Sequence, residues 1–452
     1  MANLWTKITS AVTRKSAEPK LPRILSRDEH PISRKHISDN ALKVMHRLRS
    51  GGFEAFLVGG GVRDLMLGKH PKDFDIGTNA TPEEIRQLFR NSRIIGRRFK
   101  IVHVRFGREI IEVTTYRGSH SDGNDKTAVA ADNGMLLRDN VYGTLEEDAV
   151  RRDFTINALY YCSDKFTVHD YVGGLNDLEK RQVRIIGNAS SRYQEDPVRM
   201  IRAVRFAAKL DFDIAPDTAA PLKSLAPMLS EVPAARLFDE VLKLFMEGHA
   251  LRVFALLKHY DLFRPLFPAT QEILDSGDST AIALIEQGLV NTDLRISQDK
   301  PVTPAFIYAV MLWPVVQKEM KILLAEGVPE IPALHQAAQS AISRQIQHTS
   351  IPKRFSMPMR DIWELQLRLP RRSGRRAEEL LEHRYFRAGY DFLLLREQSG
   401  EIPEELGPWW TAYQEANADT REAMLKKTSA NKPRNNSRRR RKPRYRNNQK
   451  PS

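Results

Sequence analysis

Apolar positions set the first divisions of this chain. Ala41, Leu42, Met45 and Leu48 recur at helical spacing, so a helix is expected from Asp39 that stops at Gly51-Gly52. The next apolar stretch, "FEAFLV", reads as a strand running into three glycines. "FDIGT", "KIVHVRFG", "REIIEVTTY" and "FTVHDYV" alternate or run apolar as strands do. Residues 122–140 are small and polar, the mark of a long mobile loop. Beyond Gly187 the strand pattern gives way to helical periodicity up to about residue 425, with prolines dividing the segments. No repeat of fixed period occurs, which argues against a solenoid. The fold class expected is α+β: a head containing the strands, then an α-helical neck and body.

These shifts divide the chain into a mobile leader over 1–35, a head over 36–172, a neck over 173–265, a body over 266–425 and a tail over 426–452. The leader mixes basic residues with prolines. Leu4, Trp5, Ile8, Ala11 and Val12 fall on one helical face that could touch a membrane surface, but the pattern is short and the reading is a loosely ordered terminus. No apolar run is long enough to span a bilayer and no signal-peptide pattern opens the sequence, which points to the cytoplasm. The only cysteine, Cys162, excludes an internal disulfide and reads as a small core residue on a strand.

Charge sharpens the picture of the tail. The formal net charge is +15, yet residues 426–452 hold twelve Lys or Arg and no acid, leaving +3 for everything else. With so few apolar residues this tail cannot offset its ordering entropy and is expected to be disordered when free. Arg438, Arg439, Arg440, Arg441, Lys442, Arg444 and Arg446, with Tyr445 among them, suit phosphate neutralisation and base stacking on single-stranded nucleic acid, the alternative being a solubilising tail or one that meets acidic proteins.

The chemistry concentrates in "LVGGGVRDLMLGKHPKDFDIGT", residues 57–78. Asp73 and Asp75, two apart on a strand, project to one face while Phe74 packs on the other. Two carboxylates on one face repel unless a cation lies between them, and Mg²⁺ suits such a pair together with substrate phosphates. Glu112, between Ile111 and Val113 on another expected strand, is a third acid. Gly59, Gly60 and Gly61 place backbone N–H groups and a helix N-terminus where an anion can approach, with Arg63 as a fork for phosphate. Neither a Walker A loop nor a dinucleotide fingerprint is present.

Five motifs then occur in order: "LVGGGVRDLMLG" with "DFD", "EVTTYRG", "RRDFTINALYY", "DYVGGLNDL" and "EDPVRMIRAVRFAA". Together they resemble the class II nucleotidyltransferases of the polymerase beta superfamily, which include bacterial poly(A) polymerases and CCA-adding tRNA nucleotidyltransferases. The resemblance is dense over residues 50–260. It implies a polymerase-beta-like head with a mixed sheet, Asp73 and Asp75 as the metal-binding pair, Gly60 and Arg63 as triphosphate contacts, and Glu112 as an acidic strand position. Arg152 and Asp153 match residues that meet the nucleotide's phosphates and ribose, with Asn157 structural.

In "EDPVRMIRAVRF", Asp196, Arg199, Arg202 and Arg205 recur at spacing three, beside an inward stripe of Val198, Ile201 and Val204. The resemblance implies that Asp196 and Arg199 face the base edge as a protein template, with Arg202 close to the nucleotide. Gly173 and Gly174 are expected to supply a flexible join between head and neck. Arg236 and Glu240 are expected to brace the neck. His169 lacks the companions of an HD phosphohydrolase and reads as an ordinary strand residue.

The segment "IIGRRFKIVHVRFG", residues 94–107, resembles the signature of the poly(A) polymerases within this group, and the basic tail suits RNA ends of arbitrary sequence. The reaction implied is template-independent transfer of AMP from ATP to an RNA 3′-hydroxyl with release of pyrophosphate, using two Mg²⁺ ions or Mn²⁺ in their place. A monomer acting on single-stranded RNA 3′ ends, in contact with RNA-decay proteins, is expected. CCA addition to tRNA is the alternative, and a non-catalytic RNA-binding protein is a third reading.

Overall fold

The computed structural model describes residues 21–96, 100–118, 128–130, 136–139 and 141–430. The described chain falls into two compact units. The first contains residues up to Ser276 together with Leu289–Pro304 and Ala341–Ile351; the second contains Gly277–Gly288, Ala305–Ser340 and the chain from Pro352 on. Head and neck therefore belong to one unit, and the division falls later than residue 265 because parts of two later helices pack with the neck.

Strands β1 (Arg23–Leu25), β2 (Phe56–Val58), β3 (Asp75–Thr78), β4 (Ser92–Ile95), β5 (Ile101–Phe106) and β6 (Glu109–Thr115) belong to one sheet. A small hairpin, β7 (Ala128–Ala130) and β8 (Leu136–Asp139), stands apart from it, inside the stretch expected to be loop throughout. Strands β9 (Leu159–Cys162) and β10 (Thr167–Asp170) complete eight strands in the order β1-β10-β9-β2-β3-β6-β5-β4. Every pair is antiparallel except β3 with β6, so the sheet is mixed.

Helix α1 (Asp39–Ser50) starts on a Ser38 side-chain cap and stops at Gly51, with Ala41, Val44, Met45 and Leu48 buried. It packs with α3 (Pro82–Leu88), capped by Thr81 and Glu84 in a capping box, under one face of the sheet. On the other face, Leu145 and Ala149 of α4 (Leu145–Arg151) cover Val58, Tyr116 and Tyr160. That cover lies over the β2 and β9 side of the sheet.

Residues 21–35 are not part of a mobile leader. Strand β1 pairs in register with β10, Leu25 and Ile32 are buried, and His30 Nε2 lies 2.9 Å from the Phe166 carbonyl. The expected leader residues 1–20 lie outside the described residues.

Side-chain to backbone hydrogen bonds tie the join between head and neck, which was expected to be flexible. The buried Asp170 carboxylate accepts the backbone N–H groups of Val172, Gly173, Gly174 and Leu175 at 2.9–3.0 Å, fixing the start of α5 (Gly174–Glu179). Gly173 adopts φ +88° in open space, a conformation that favours glycine, whereas a Cβ on Gly174 would run into the Thr155 carbonyl oxygen, so of the two only Gly174 serves close packing. A second tie comes from α6 (Ala189–Glu195), whose Arg192 donates to the Arg151 and Arg152 carbonyls at 2.8 and 2.7 Å. Helix α7 (Val198–Leu210) follows, burying Val198, Ile201 and Val204 as its apolar stripe requires.

The second unit is helical among the described residues. Leu365, Leu380, Phe386, Tyr390, Leu393, Trp410 and Tyr413 form its core. Glu397 accepts the N–H groups of Glu405, Leu406 and Gly407 at 2.9–3.0 Å, capping the helix Leu406–Glu415. Pro314 and Pro358 do not divide helices as expected. Each lies inside one, Pro304–Ala325 and Lys353–Arg368, and Pro314 is buried in a stretch whose packing outweighs the lost backbone bond. No helix is long and apolar enough to cross a membrane among the described residues.

Candidate active site

The site grows from the end of β2. Gly59 at φ +72° turns the chain into α2 (Gly60–Met66), and a Cβ there would lie 3.5 Å from Arg152 Nη1 and 3.9 Å from Asp75 Oδ2. The bare backbone of Gly59 thus faces a guanidinium and a carboxylate together.

Asp75 is the first residue of β3, and Asp73 lies just before the strand; both line the same cavity. Across the parallel pairing Asp75 stands opposite Glu112, which does not line the cavity but lies next to it on β6. Burial, and then the Glu112 charge, push Asp75 up to about 6; Arg152 opposes this and Asp73 adds to it. Among the described residues no three His, Cys, Asp or Glu side chains form a ready-made metal group. A half-buried carboxylate strained by two further acids is nevertheless the environment that a divalent cation relieves, so Asp73 and Asp75 fit such an ion.

Arg152 donates from Nε to Asp148 Oδ2 at 3.0 Å and to the Tyr160 hydroxyl at 2.9 Å, while that hydroxyl donates to Asp148 at 2.7 Å. Burial alone would raise Asp148, but Arg152 and Arg117 hold it below the usual carboxylate range. Arg63 is 3% exposed and is held by Asn157 Oδ1 at 2.6 Å and Asp64 at 2.8 Å. Asn157 orients Arg63 and itself lines the cavity.

Asp153 is also saturated. Its Oδ2 accepts from Arg202 Nε at 2.9 Å, and its Oδ1 from the Phe154 N–H at 2.8 Å and from Asn157 at 3.4 Å. Burial would raise this carboxyl, yet Arg202 holds it at about 2. An Asp so occupied orients Arg202.

Asp196 closes α6 rather than lying on α7, and it does not pair with Arg199. It accepts both arms of Arg236 from the helix Ala234–Phe245. Arg199 donates to Glu195 at 2.8 Å and to the Arg192 carbonyl at 2.7 Å. The guanidinium groups of Arg63, Arg202 and Arg205 all lie over the Phe206 ring, 5.0–5.4 Å from its centroid. Glu240 is buried and takes Lys243 at 2.8 Å.

All of Gly59, Gly60, Arg63, Asp73, Asp75, Arg152, Asp153, Asp196, Arg199, Arg202 and Arg205 line one cavity of about 930 Å³. Eight arginines and three lysines face six acids around it, an excess suited to a polyanion such as a triphosphate. Sequence reasoning missed Asp148, Tyr160 and Phe206, which hold the arginines, and gave Arg236 only a bracing role; no spacing marks these as site residues. The tail arginines Arg438 to Arg441, Lys442, Arg444 and Arg446 lie outside the described residues.

A mixed sheet with a glycine turn and an acid pair beside a cation-lined cavity is the layout of a nucleotidyl-transfer site. The sequence matches "Poly A polymerase head domain" over residues 55–184, "Probable RNA and SrmB- binding site of polymerase A" over 211–274 and "Polymerase A arginine-rich C-terminus" over 326–446. It is 50% identical to Poly(A) polymerase I of Escherichia coli O6:H1 over 437 residues, covering 94% of this chain and 93% of that one. A CCA-adding enzyme of Listeria monocytogenes serotype 4a is 37% identical over 219 residues, 48% of this chain and 53% of its own length. Among solved structures, the Bacillus stearothermophilus CCA-adding enzyme in complex with CTP is similar at a TM-score of 0.50 and 25% identity, over 86% of this chain and 82% of that one. The chain belongs to the poly(A) polymerase family.

Proposed function

We propose that this protein adds AMP from ATP to RNA 3′-hydroxyl ends without a nucleic-acid template and releases pyrophosphate. The observation that carries the reading is the meeting of Asp75, Gly59 and Arg152 at the floor of a cavity whose charged residues are mostly cations. Backbone N–H groups at the start of α2, with Arg63 and Arg152, receive the triphosphate. Arg202, aimed by Asp153, and Arg205 neutralise charge further along it. Asp73 and Asp75 are the groups that hold divalent metal, two Mg²⁺ or Mn²⁺ ions, and Glu112 stands behind them. A cation there supplies charge stabilisation at the phosphoryl oxygens and a lower pKa for the attacking hydroxyl. In-line displacement at the α-phosphorus then forms the O3′–P bond and breaks the bond to the pyrophosphate oxygen.

The near full-length likeness to a poly(A) polymerase, against half-length likeness to a CCA-adding enzyme, favours ATP alone as substrate. CCA addition is the second reading, since the fold is shared with such enzymes. Tails of this kind would mark RNA for 3′-end decay, placing the protein in the cytoplasm, as a monomer, near decay proteins. The test is extension of an unstructured RNA oligonucleotide with each nucleoside triphosphate, beside tRNA lacking its CCA. Long ladders with ATP alone support the proposal; addition of three residues using CTP, confined to tRNA, replaces it with the second reading.

A further inference from the structure

Resting on that reading, we infer that the face of strands β4, β5 and β6 that is uncovered among the described residues seats the RNA strand whose 3′ end is extended. The pairing builds one row across four strands: Asp75 on β3 opposite Glu112 on β6, Glu112 opposite His103 on β5, and His103 opposite Arg93 on β4. Directly opposed residues share a face of the sheet. His103 Nε2 lies 3.1 Å from Glu112 Oε1, so the row is in contact at its centre. Three strand spacings of about 4.8 Å put Arg93 about 14 Å from Asp75.

The same face continues along β5. Val102 and Val104 are buried toward the helices beneath, whereas His103 and Arg105 point the other way. Arg105 stands opposite Ile110, which is 41% exposed. Arg93 and Arg105 are exposed and form no ion pair among the described residues. Among the described residues, helix α4 packs on Val58, Tyr160 and Tyr116, over β2 and β9 and just past the end of β6.

The face therefore runs from acids at the reacting end to arginines outside that form no ion pair among the described residues, with His103 and Ile110 between. That order suits a polyanion presenting a neutral hydroxyl at one end: the phosphates are held outward while the 3′-hydroxyl reaches Asp75. A single strand of RNA meets these demands, because its sugars and bases can rest on Ile110 while its phosphates reach Arg93 and Arg105. The alternation in "KIVHVRF" gains a physical meaning: one set of residues builds the core and the other builds the track.

The test is the Arg93→Ala, Arg105→Ala double variant of the full chain, titrated with a fluorescent unstructured RNA between 50 and 200 mM salt. Loss of two phosphate contacts is expected to flatten the slope of log K against log salt by about 1.4. The KM for RNA should rise several-fold with the KM for ATP unchanged, and the Arg93→Lys, Arg105→Lys variant should keep most of the slope. An unchanged slope and RNA KM in the alanine variant overturn the inference. Should the alanine variant also lose ATP binding, the lysine variant decides: retention of the slope supports the track and its loss refutes it. Absence of ATP-dependent extension by the parent chain counts against the functional reading, while the RNA titration still judges the surface.

Discussion

Arg236 grips Asp196 with both arms of its guanidinium, Nη1 to Oδ1 at 2.9 Å and Nη2 to Oδ2 at 2.8 Å. Adenine and cytosine present the same edge pattern, an amino donor beside a ring-nitrogen acceptor, so hydrogen-bond type alone cannot separate them. Distance can, and a carboxylate clamped in place sets a distance. Arg236→Ala is expected to lower the preference for ATP over CTP by on the order of tenfold, equivalent to about 1.4 kcal/mol. GTP and UTP should remain poor substrates. Steady-state kcat/KM for each nucleotide checks this; an unchanged ATP/CTP ratio would show that the clamp has no part in selection.

Asp75 gives a pH signature. Its folded-state value of about 6 lies above that of an ordinary Asp because of burial and the Glu112 charge, so folding favours the protonated form. The resulting penalty is absent below about pH 4, grows as pH rises through the interval to 6, and reaches about 3 kcal/mol at neutral pH. In chelator, Asp75→Asn should therefore be more stable than the parent at pH 7.5 and equal to it near pH 3.5, while losing at least 10³-fold in activity. Thermal unfolding at the two pH values tests the sign.

Gly59 is held at φ +72° with Arg152 and Asp75 beside it. Gly59→Ala should cost about 1–3 kcal/mol of stability from the positive-φ backbone alone. Crowding of Arg152 should also raise the KM for ATP, which initial rates over a range of ATP would reveal.

Asp170 accepts four backbone N–H groups at the start of the neck. Asp170→Ala leaves buried donors unpaired and should cost about 3 kcal/mol or more. A drop in Tm of only a degree would mean that water replaces the carboxylate.

Removal of residues 426–452 takes away twelve positive charges. RNA affinity should fall and its salt dependence flatten, with ATP affinity nearly unchanged. Anisotropy titrations at several salt concentrations check it.

Much of the head was legible because its signals are local. The Asp39 helix with its Gly51 stop, the strand into Gly59, and the acids at Asp73 and Asp75 follow from spacing and turn chemistry. What stayed hidden depends on partners far along the chain. Nothing in "HDYVGG" says that Asp170 will bind the glycines into place instead of leaving them loose. Nothing near Arg236 announces Asp196, forty residues earlier, and only the register of β3, β6 and β5 aligns Asp75, Glu112 and His103. The short strand β1 was hidden for the same reason, since three residues are ordered by β10 alone.

The ties made by Asp170 and Arg192 bear on turnover. Rivets at both places tie the two walls of the cavity to one another, so any parting of head and neck during turnover has to break bonds at both.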